Sequence, residues 1–125
     1  MKKKILIVDD EKDSCEILAE ILSDEGYETF SARSGRSALV KVEKEKPDLV
    51  LLDIKMPQMD GIEGLERIKK IDKGIAVIMI TAYGALNTAR GAMRLGAYDY
   101  ITKPFDVNLI KGIVKEALSG REAGQ

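Results

Sequence analysis

The sequence contains no histidine and a single cysteine, Cys15, among its 125 residues. Without histidine there is no His-dependent catalytic triad and no histidine general base, and one cysteine supports neither a disulfide framework nor a Cys/His zinc site. Nothing near Cys15 in sequence would activate a thiol, so we interpret it as a small buried hydrophobic residue on a helix. These absences exclude several common classes of hydrolase, zinc protein and disulfide-stabilised domain.

The chain also lacks an excess of either charge and lacks a long apolar run. There are 20 Lys and Arg against 21 Asp and Glu, a formal net charge of -1, so no basic face for binding a nucleic-acid backbone is predicted. The basic start "MKKK" is followed by only four apolar residues, "ILIV", and then by two aspartates. That pattern fits neither a signal peptide nor a membrane span, so we expect no membrane association and a cytoplasmic location by default.

What the sequence does contain is a short apolar run followed by a longer amphipathic stretch, repeated five times. The first, third and fourth runs are continuously apolar, which is typical of strands buried on both faces of a parallel sheet. The predicted strands are Lys4–Val8, Tyr27–Ala32, Asp48–Leu52, Ala76–Thr81 and Asp99–Thr102. The predicted helices are Ser14–Glu25, Gly35–Lys46, Asp60–Ile71, Ala85–Leu95 and Val107–Leu118.

Local signals predict where two of the helices begin and which side chains they bury. Asp60 and Asp106 stand at the start of the third and fifth helices, where an aspartate accepts hydrogen bonds from the first free backbone amides. The three- and four-residue spacing of apolar positions predicts that Ile17, Met93 and Leu109 lie on buried faces.

Strands that alternate with helices of this length predict an α/β fold of the (βα)5 type. We expect one doubly wound domain, a five-stranded parallel sheet with helices on both faces, and the natural strand order is 2-1-3-4-5. The predicted domain covers residues 1–119, and residues 120–125 are expected to form a flexible C-terminal tail. In this topology ligands bind beyond the carboxyl ends of the strands, between strands 1 and 3.

Polar residues stand where the predicted strands end. Asp9 and Asp10 follow strand 1, and Asp53 follows strand 3, so three carboxylates are expected at the same place. Two like charges about 4 Å apart repel by roughly 4 kcal/mol at an effective dielectric near 20, so the cluster predicts a bound cation. Oxygen ligands alone favour Mg²⁺. Thr81 and Lys103, after strands 4 and 5, add a hydroxyl and an ammonium, and the set predicts phosphoryl transfer onto an aspartate oxygen.

Each of these residues has a purely structural explanation when it is taken alone. The aspartates are also good helix and loop caps, Thr81 is also a strand end, and Lys103 is also an ordinary surface lysine. Their joint occurrence at the ends of four predicted strands favours a functional site.

Four segments carry a resemblance to a known family: "ILIVDDE", "PDLVLLDIKMPQMDG", "ITAYG" and "GAYDYITKPF". Over nearly the whole chain they closely resemble the receiver domains of two-component response regulators. The resemblance implies that Asp53 accepts a phosphoryl group. It further implies that Mg²⁺ is held by the carboxylates of Asp9, Asp10 and Asp53 and by the backbone carbonyl of Lys55. Lys55 and Tyr83 occupy positions that in this family tune the lifetime of the phosphoryl group.

The same resemblance assigns roles to residues of the last two strands. Thr81 and Lys103 would bind the phosphoryl oxygens, and Tyr100 would be the switch aromatic that turns inward on phosphorylation. The peptide bond between Lys103 and Pro104 is expected to be cis, which is accessible because the second residue is proline.

The implied function is a phosphorylation-controlled switch and not an enzyme. A sensor histidine kinase or a histidine phosphotransfer protein would donate the phosphoryl group, and a changed surface on helix 4, strand 5 and helix 5 would act on a downstream protein or an attached output domain. The missing histidine is consistent with this role, because such a chain receives from a phosphohistidine and cannot supply one. A phosphorylation-dependent homodimer remains open.

The sequence has three alternative interpretations. The segments resemble both stand-alone phosphorelay receivers and the N-terminal receivers of nitrogen-regulator-type, DNA-binding transcription activators, so an excised module remains open. A small aspartyl-phosphate phosphatase would have an Asp-x-Asp pattern with a second carboxylate as acid and base, and Lys55 stands at that position. A flavodoxin-like carrier would need a Ser/Thr/Gly-rich loop after strand 1, where "DDEKD" would repel a phosphate.

Overall fold

Strands and helices alternate in the computed structural model, which describes residues 2–55, 59–82 and 86–123. The strands are β1 Lys4–Val8, β2 Glu28–Ala32, β3 Leu49–Asp53, β4 Ala76–Ala82 and β5 Asp99–Lys103. The helices are α1 Lys12–Asp24, α2 Gly35–Glu45, α3 Gly61–Ile71, α4 Leu86–Arg94 and α5 Val107–Ala123. Every strand boundary lies within one residue of its predicted position.

The five strands form one parallel sheet in the order β2-β1-β3-β4-β5. The predicted α/β class and strand order are therefore confirmed. The three continuously apolar strands occupy the three central positions, where both faces of a strand are covered by helices. Because all strands run in the same direction, their carboxyl ends meet at one edge of the sheet.

Alternate side chains of the central strands enter two apolar clusters, one on each face of the sheet. The cluster beneath α2, α3 and α4 contains Leu6, Val8, Val50, Leu52, Val77, Met79, Ala38, Val42, Leu65, Ile68 and Ala92. The cluster beneath α1 and α5 contains Ile5, Ile7, Leu49, Leu51, Ile78, Ile80, Ile101, Cys15, Leu18, Leu22, Ile110 and Val114. Each fully buried Leu, Ile or Val contributes about 1.5–3 kcal/mol of transfer free energy, so the strand ends are held by a well-packed core.

The predicted helix caps are present. Asp60 Oδ1 accepts a hydrogen bond of 2.9 Å from the backbone amide of Glu63, and Asp106 Oδ1 accepts one of 3.1 Å from that of Leu109. Gly26, which follows α1, has φ +94°, a conformation that favours glycine. Local sequence therefore decided these helix ends.

Three predicted core residues are exposed, so those predictions were wrong. Ile17, Met93 and Leu109 expose 50%, 41% and 49% of their surface. The face of each of these helices that contacts the sheet is narrower than the face that carries apolar residues. In α4, for example, the small residue Ala92 is buried while the neighbouring Met93 is exposed. Spacing by three and four residues marks a broad face but cannot locate its edges.

Helix α5 continues to Ala123, five residues beyond its predicted end at Leu118. The domain limit at residue 119 and the flexible tail at 120–125 stay predictions. Among the helices that the structure describes, none has the length and apolar character needed to cross a bilayer.

Candidate functional site

The sheet topology brings the predicted site residues to one edge. Val8 pairs with Leu52 across the β1–β3 ladder, so Asp9 and Asp53 follow directly on neighbouring strands. Ala82 pairs with Lys103 across β4 and β5, which sets the last two strand ends beside them. The site is therefore built on the ends of rigid strands, which position side chains better than loops do.

Three carboxylates converge at this edge, as expected. One carboxylate oxygen from each of Asp9, Asp10 and Asp53 lies within 4.8 Å of the others. Asp9 and Asp53 are buried, and Asp10 is half-buried. A cavity of about 180 Å³ opens over them and is lined by Asp10, Glu11, Asp53, Lys55 and Lys103.

Asp53 is the last residue of β3, and its carboxylate has one fixed oxygen. Oδ1 accepts a 3.0 Å hydrogen bond from the backbone amide of Lys55. The pKa of Asp53 is raised from 3.8 to about 6, and burial is the largest cause. The hydrogen bond from Lys55 and the charge of Lys103 lower this pKa, and the charge of Asp9 raises it further. The protein thus keeps a carboxylate in a place where its ionisation is unfavourable, which is common at functional sites.

Lys103, the last residue of β5, places its ammonium among three carboxylates. Its Nζ lies 2.9 Å from Glu11 Oε1, 3.0 Å from Asp9 Oδ2 and 3.7 Å from Asp53 Oδ2. Burial alone would lower the pKa of Lys103, but the hydrogen bond with Glu11 and the nearby carboxylates of Asp9 and Asp53 outweigh it and hold that pKa above its ordinary value. Lys103 is therefore a permanent positive charge at the site.

The donor set fits a hard divalent cation. Asp9 Oδ1 accepts a 2.9 Å hydrogen bond from the backbone amide of Glu11. Asp9 Oδ2 is buried and, although Lys103 Nζ is near, it accepts no well-aligned hydrogen bond from the part of the chain that the structure describes. A buried acceptor without such a partner is unfavourable unless a cation or water satisfies it. Together with the Asp10 and Asp53 oxygens it forms the all-oxygen set that Mg²⁺ prefers.

Gly61, which sequence reasoning passed over, allows α3 to approach the end of β3. Its backbone amide donates a 2.7 Å hydrogen bond to the carbonyl of Ile54. A Cβ at this position would lie 2.6 Å from both the Asp53 carbonyl oxygen and the Ile54 Cα. Those are backbone atoms that cannot move without displacing the site. The sequence signal for this close approach is the "DG" pair that begins α3, and helix capping by Asp60 already explains that pair.

Of the remaining predicted residues, those that the structure describes lie on or directly after the last two strands. Thr81 is buried and follows Ile80, the register partner of Asp53, but it is not among the residues that line the cavity. Tyr100 lies in β5, half-buried against the cluster beneath α2, α3 and α4. The Lys103–Pro104 peptide bond is cis. Tyr83 lies outside the described residues.

Glu11 is a further site residue that the sequence argument did not single out. It lines the cavity and contacts Lys103, which is 92 positions away in the chain. The signal that could have found it is its place directly after the acidic pair at the end of β1.

Residues 5–115 match the family described as the response regulator receiver domain. The chain is 51% identical over 118 residues to the sporulation initiation phosphotransferase F of Bacillus subtilis (strain 168), a match that covers 94% of this chain and 95% of that protein. It is 44% identical over 115 residues to the regulatory protein AtoC of Escherichia coli (strain K12), covering 92% of this chain but 25% of that protein. A solved response regulator receiver domain protein from Methanospirillum hungatei JF-1, described as CheY-like, is similar with a TM-score of 0.95 and 37% identity, and each chain is covered to 100%.

Proposed function

Because the chain belongs to the response regulator receiver domain family, we propose that Asp53 is its phosphoryl acceptor and that a phosphohistidine of a partner protein is the donor. The chain is a receiver domain of the kind found in two-component systems and phosphorelays. The observation that carries the assignment is the position of Asp53, at the end of the central strand β3, in a cavity that it shares with two further carboxylates, Asp10 and Glu11, and two lysines, Lys55 and Lys103.

In the proposed transfer, a carboxylate oxygen of Asp53 forms the new P–O bond while the P–N bond of the donor histidine breaks. The backbone amide of Lys55 holds Asp53 Oδ1 and so orients the carboxylate. The Lys103 ammonium, 3.7 Å from Asp53 Oδ2, is near enough to balance negative charge on the phosphoryl oxygens. Thr81, near the end of the neighbouring strand β4, would donate a hydrogen bond from its hydroxyl group to one of those oxygens.

Mg²⁺ would be held by the carboxylates of Asp9, Asp10 and Asp53 and by the backbone carbonyl of Lys55. When bound, it supplies positive charge that offsets the repulsion between the carboxylates and an incoming phosphoryl group. The buried Oδ2 atom of Asp9, which accepts no well-aligned hydrogen bond from the described residues, supports this assignment.

We further propose that the domain acts as a switch and not as an enzyme, with Tyr100 as the switch aromatic. Lys55 and Tyr83 would tune the lifetime of the phosphoryl group. The changed surface of α4, β5 and α5 would engage a downstream protein, an attached output domain or a second copy of the chain. A histidine kinase or a histidine phosphotransfer protein would be the donor, and we propose the cytoplasm as the location of the exchange.

Two contexts fit this switch. The match to the sporulation phosphotransferase covers 95% of that protein, which favours a role as a phosphorelay receiver. The match to AtoC covers 25% of that protein, which is the pattern expected of a receiver module attached to further domains. The first has the higher identity, and we take it as the leading proposal.

The acceptor assignment is tested by incubating the protein with acetyl phosphate and Mg²⁺ and measuring intact mass. Wild type should gain one acid-labile phosphoryl group, and Asp53→Asn should gain none. Asp24→Asn is a matched control, because Asp24 is an exposed aspartate at the end of α1, and it should be labelled like wild type. Equal labelling of wild type and Asp53→Asn would show that another residue is the acceptor.

A further inference from the structure

Among the described residues, Glu11 makes the shortest ion-pair contact to Lys103, yet the proposed transfer assigns it no role. We propose that Glu11 is a positioning residue that holds the Lys103 ammonium in the unphosphorylated domain and releases it when Asp53 carries a phosphoryl group. This inference rests on the proposed function, since it concerns how Lys103 becomes available to the phosphoryl oxygens.

The contacts of Lys103 show that its charge is already engaged. Its Nζ lies 2.9 Å from Glu11 and 3.0 Å from Asp9, but 3.7 Å from Asp53. An ammonium has only three N–H donors. A phosphoryl group on Asp53 would present several anionic oxygens that compete with Glu11 for the ammonium.

Glu11 is the partner that can be exchanged. The side chain of Asp9 is 0% exposed and its Oδ1 is hydrogen-bonded to the Glu11 amide, so it cannot turn into water. The side chain of Glu11 is 64% exposed and can be solvated at once. Glu11 is also the N-cap residue of α1, but its side chain makes no cap hydrogen bond, so releasing Lys103 breaks no bond within that helix.

The ion pair therefore opposes phosphoryl binding by the free energy needed to break it. Exposed ion pairs are worth a few tenths to about 1 kcal/mol, which corresponds to a change of roughly 1.5- to 5-fold in an affinity. Glu11 also lines the cavity, so its negative charge repels a phosphoryl group directly. Both effects predict that neutralising Glu11 strengthens the binding of a phosphoryl-like anion.

The test measures the affinity of beryllofluoride, a mimic of the aspartyl-bound phosphoryl group, in the presence of Mg²⁺ by calorimetric titration. Glu11→Gln should bind about 1.5- to 5-fold more tightly than wild type. Glu16→Gln is a matched control, because the Glu16 side chain is 63% exposed, like that of Glu11, but forms its ion pair with Lys12. Its affinity should equal that of wild type. An affinity of Glu11→Gln equal to or weaker than that of wild type would overturn the inference.

A double-mutant cycle separates the ion pair from simple repulsion. In a Lys103→Met background, Glu11→Gln should improve the affinity by less than it does in wild type. An equal improvement in both backgrounds would show that Glu11 does not act through Lys103. Where Lys103→Met binds too weakly to titrate, NMR of the Lys103 side-chain ammonium provides the second measurement. Its signal should shift in Glu11→Gln and stay in place in Glu16→Gln, and an unshifted signal in Glu11→Gln would refute the contact.

Failure of the proposed function has a different signature from failure of this inference. If wild type does not bind beryllofluoride, or if Asp53→Asn binds it equally well, the acceptor assignment itself is wrong. If wild type binds it, Asp53→Asn does not, and Glu11→Gln has no effect, only the role of Glu11 is wrong.

Discussion

Replacing Asp53 by Asn should stabilise the metal-free protein at neutral pH, although Asp53 is the proposed functional residue. Asparagine has the same shape and can still accept the hydrogen bond from the Lys55 amide through its Oδ1 atom. It removes a buried negative charge that lies close to Asp9 and Asp10. The variant therefore loses little packing and relieves an unfavourable ionisation.

The magnitude follows from the pKa of Asp53, which is raised from 3.8 to about 6. Each pKa unit is worth about 1.36 kcal/mol, so ionising Asp53 in the folded state is unfavourable by about 3 kcal/mol. The pKa of Asp53 is higher in the folded state than in the unfolded state. The contribution of Asp53 to the free energy of unfolding is therefore largest below pH 3.8 and is lost as the pH rises through about 6. Asn has no proton to lose, so the variant should not show this loss.

Urea unfolding in EDTA, followed by circular dichroism from pH 4 to pH 7, measures the effect. We expect the free energy of unfolding of Asp53→Asn to exceed that of wild type by about 3 kcal/mol at pH 7 and by less than about 1 kcal/mol at pH 4. In a thermal scan at pH 7 the difference corresponds to roughly 10 °C. A difference that is absent at pH 7, or that does not shrink on acidification, would refute the view that ionisation of Asp53 strains the fold.

Three further predictions concern the metal, the close approach of α3 and the helix caps. Mg²⁺ at ten times its Kd should stabilise wild type by about 1.4 kcal/mol, because it binds only the assembled carboxylates; Asp9→Asn should lose most of this gain in melting experiments, and an equal gain would argue against the cluster. Gly61→Ala should destabilise by about 1–3 kcal/mol in urea unfolding, because its Cβ would meet backbone atoms at 2.6 Å. Gly112→Ala, which meets nothing within 4 Å, should stabilise by about 0.5–1 kcal/mol, and a loss in both variants would point to a general effect. Asp60→Ala removes the hydrogen bond to the Glu63 amide and should cost about 1 kcal/mol in the same assay, whereas an unchanged midpoint would show that this cap contributes nothing.

The strand pattern could be predicted from sequence because burial on both faces leaves a continuous apolar run. The central strands β1, β3 and β4 carry that pattern, and each is covered by helices on both sides. The caps at Asp60 and Asp106 could be predicted because a cap involves residues only three positions apart. Both signals are local, so they are present in the linear sequence.

The faces of the helices were harder to predict. The apolar pattern gave Ile17 and Leu109 the same weight as the residues that the sheet buries, but both are about half exposed. Which apolar residue faces the sheet depends on the angle and height at which a helix packs, and neither is encoded by spacing alone.

The order of residues along the chain is enough to specify the alternation of strands and helices, the central place of the apolar strands and the presence of acidic, hydroxyl and lysine residues at strand ends. Which of those residues are in contact depends on how the strands pack. The tertiary structure joined Lys103 to Glu11 across 92 positions and raised the pKa of Asp53 by burial. Periodicity and capping depend on neighbours in the chain, whereas an ion pair and a desolvated carboxylate depend on distances that exist only once the strands are side by side.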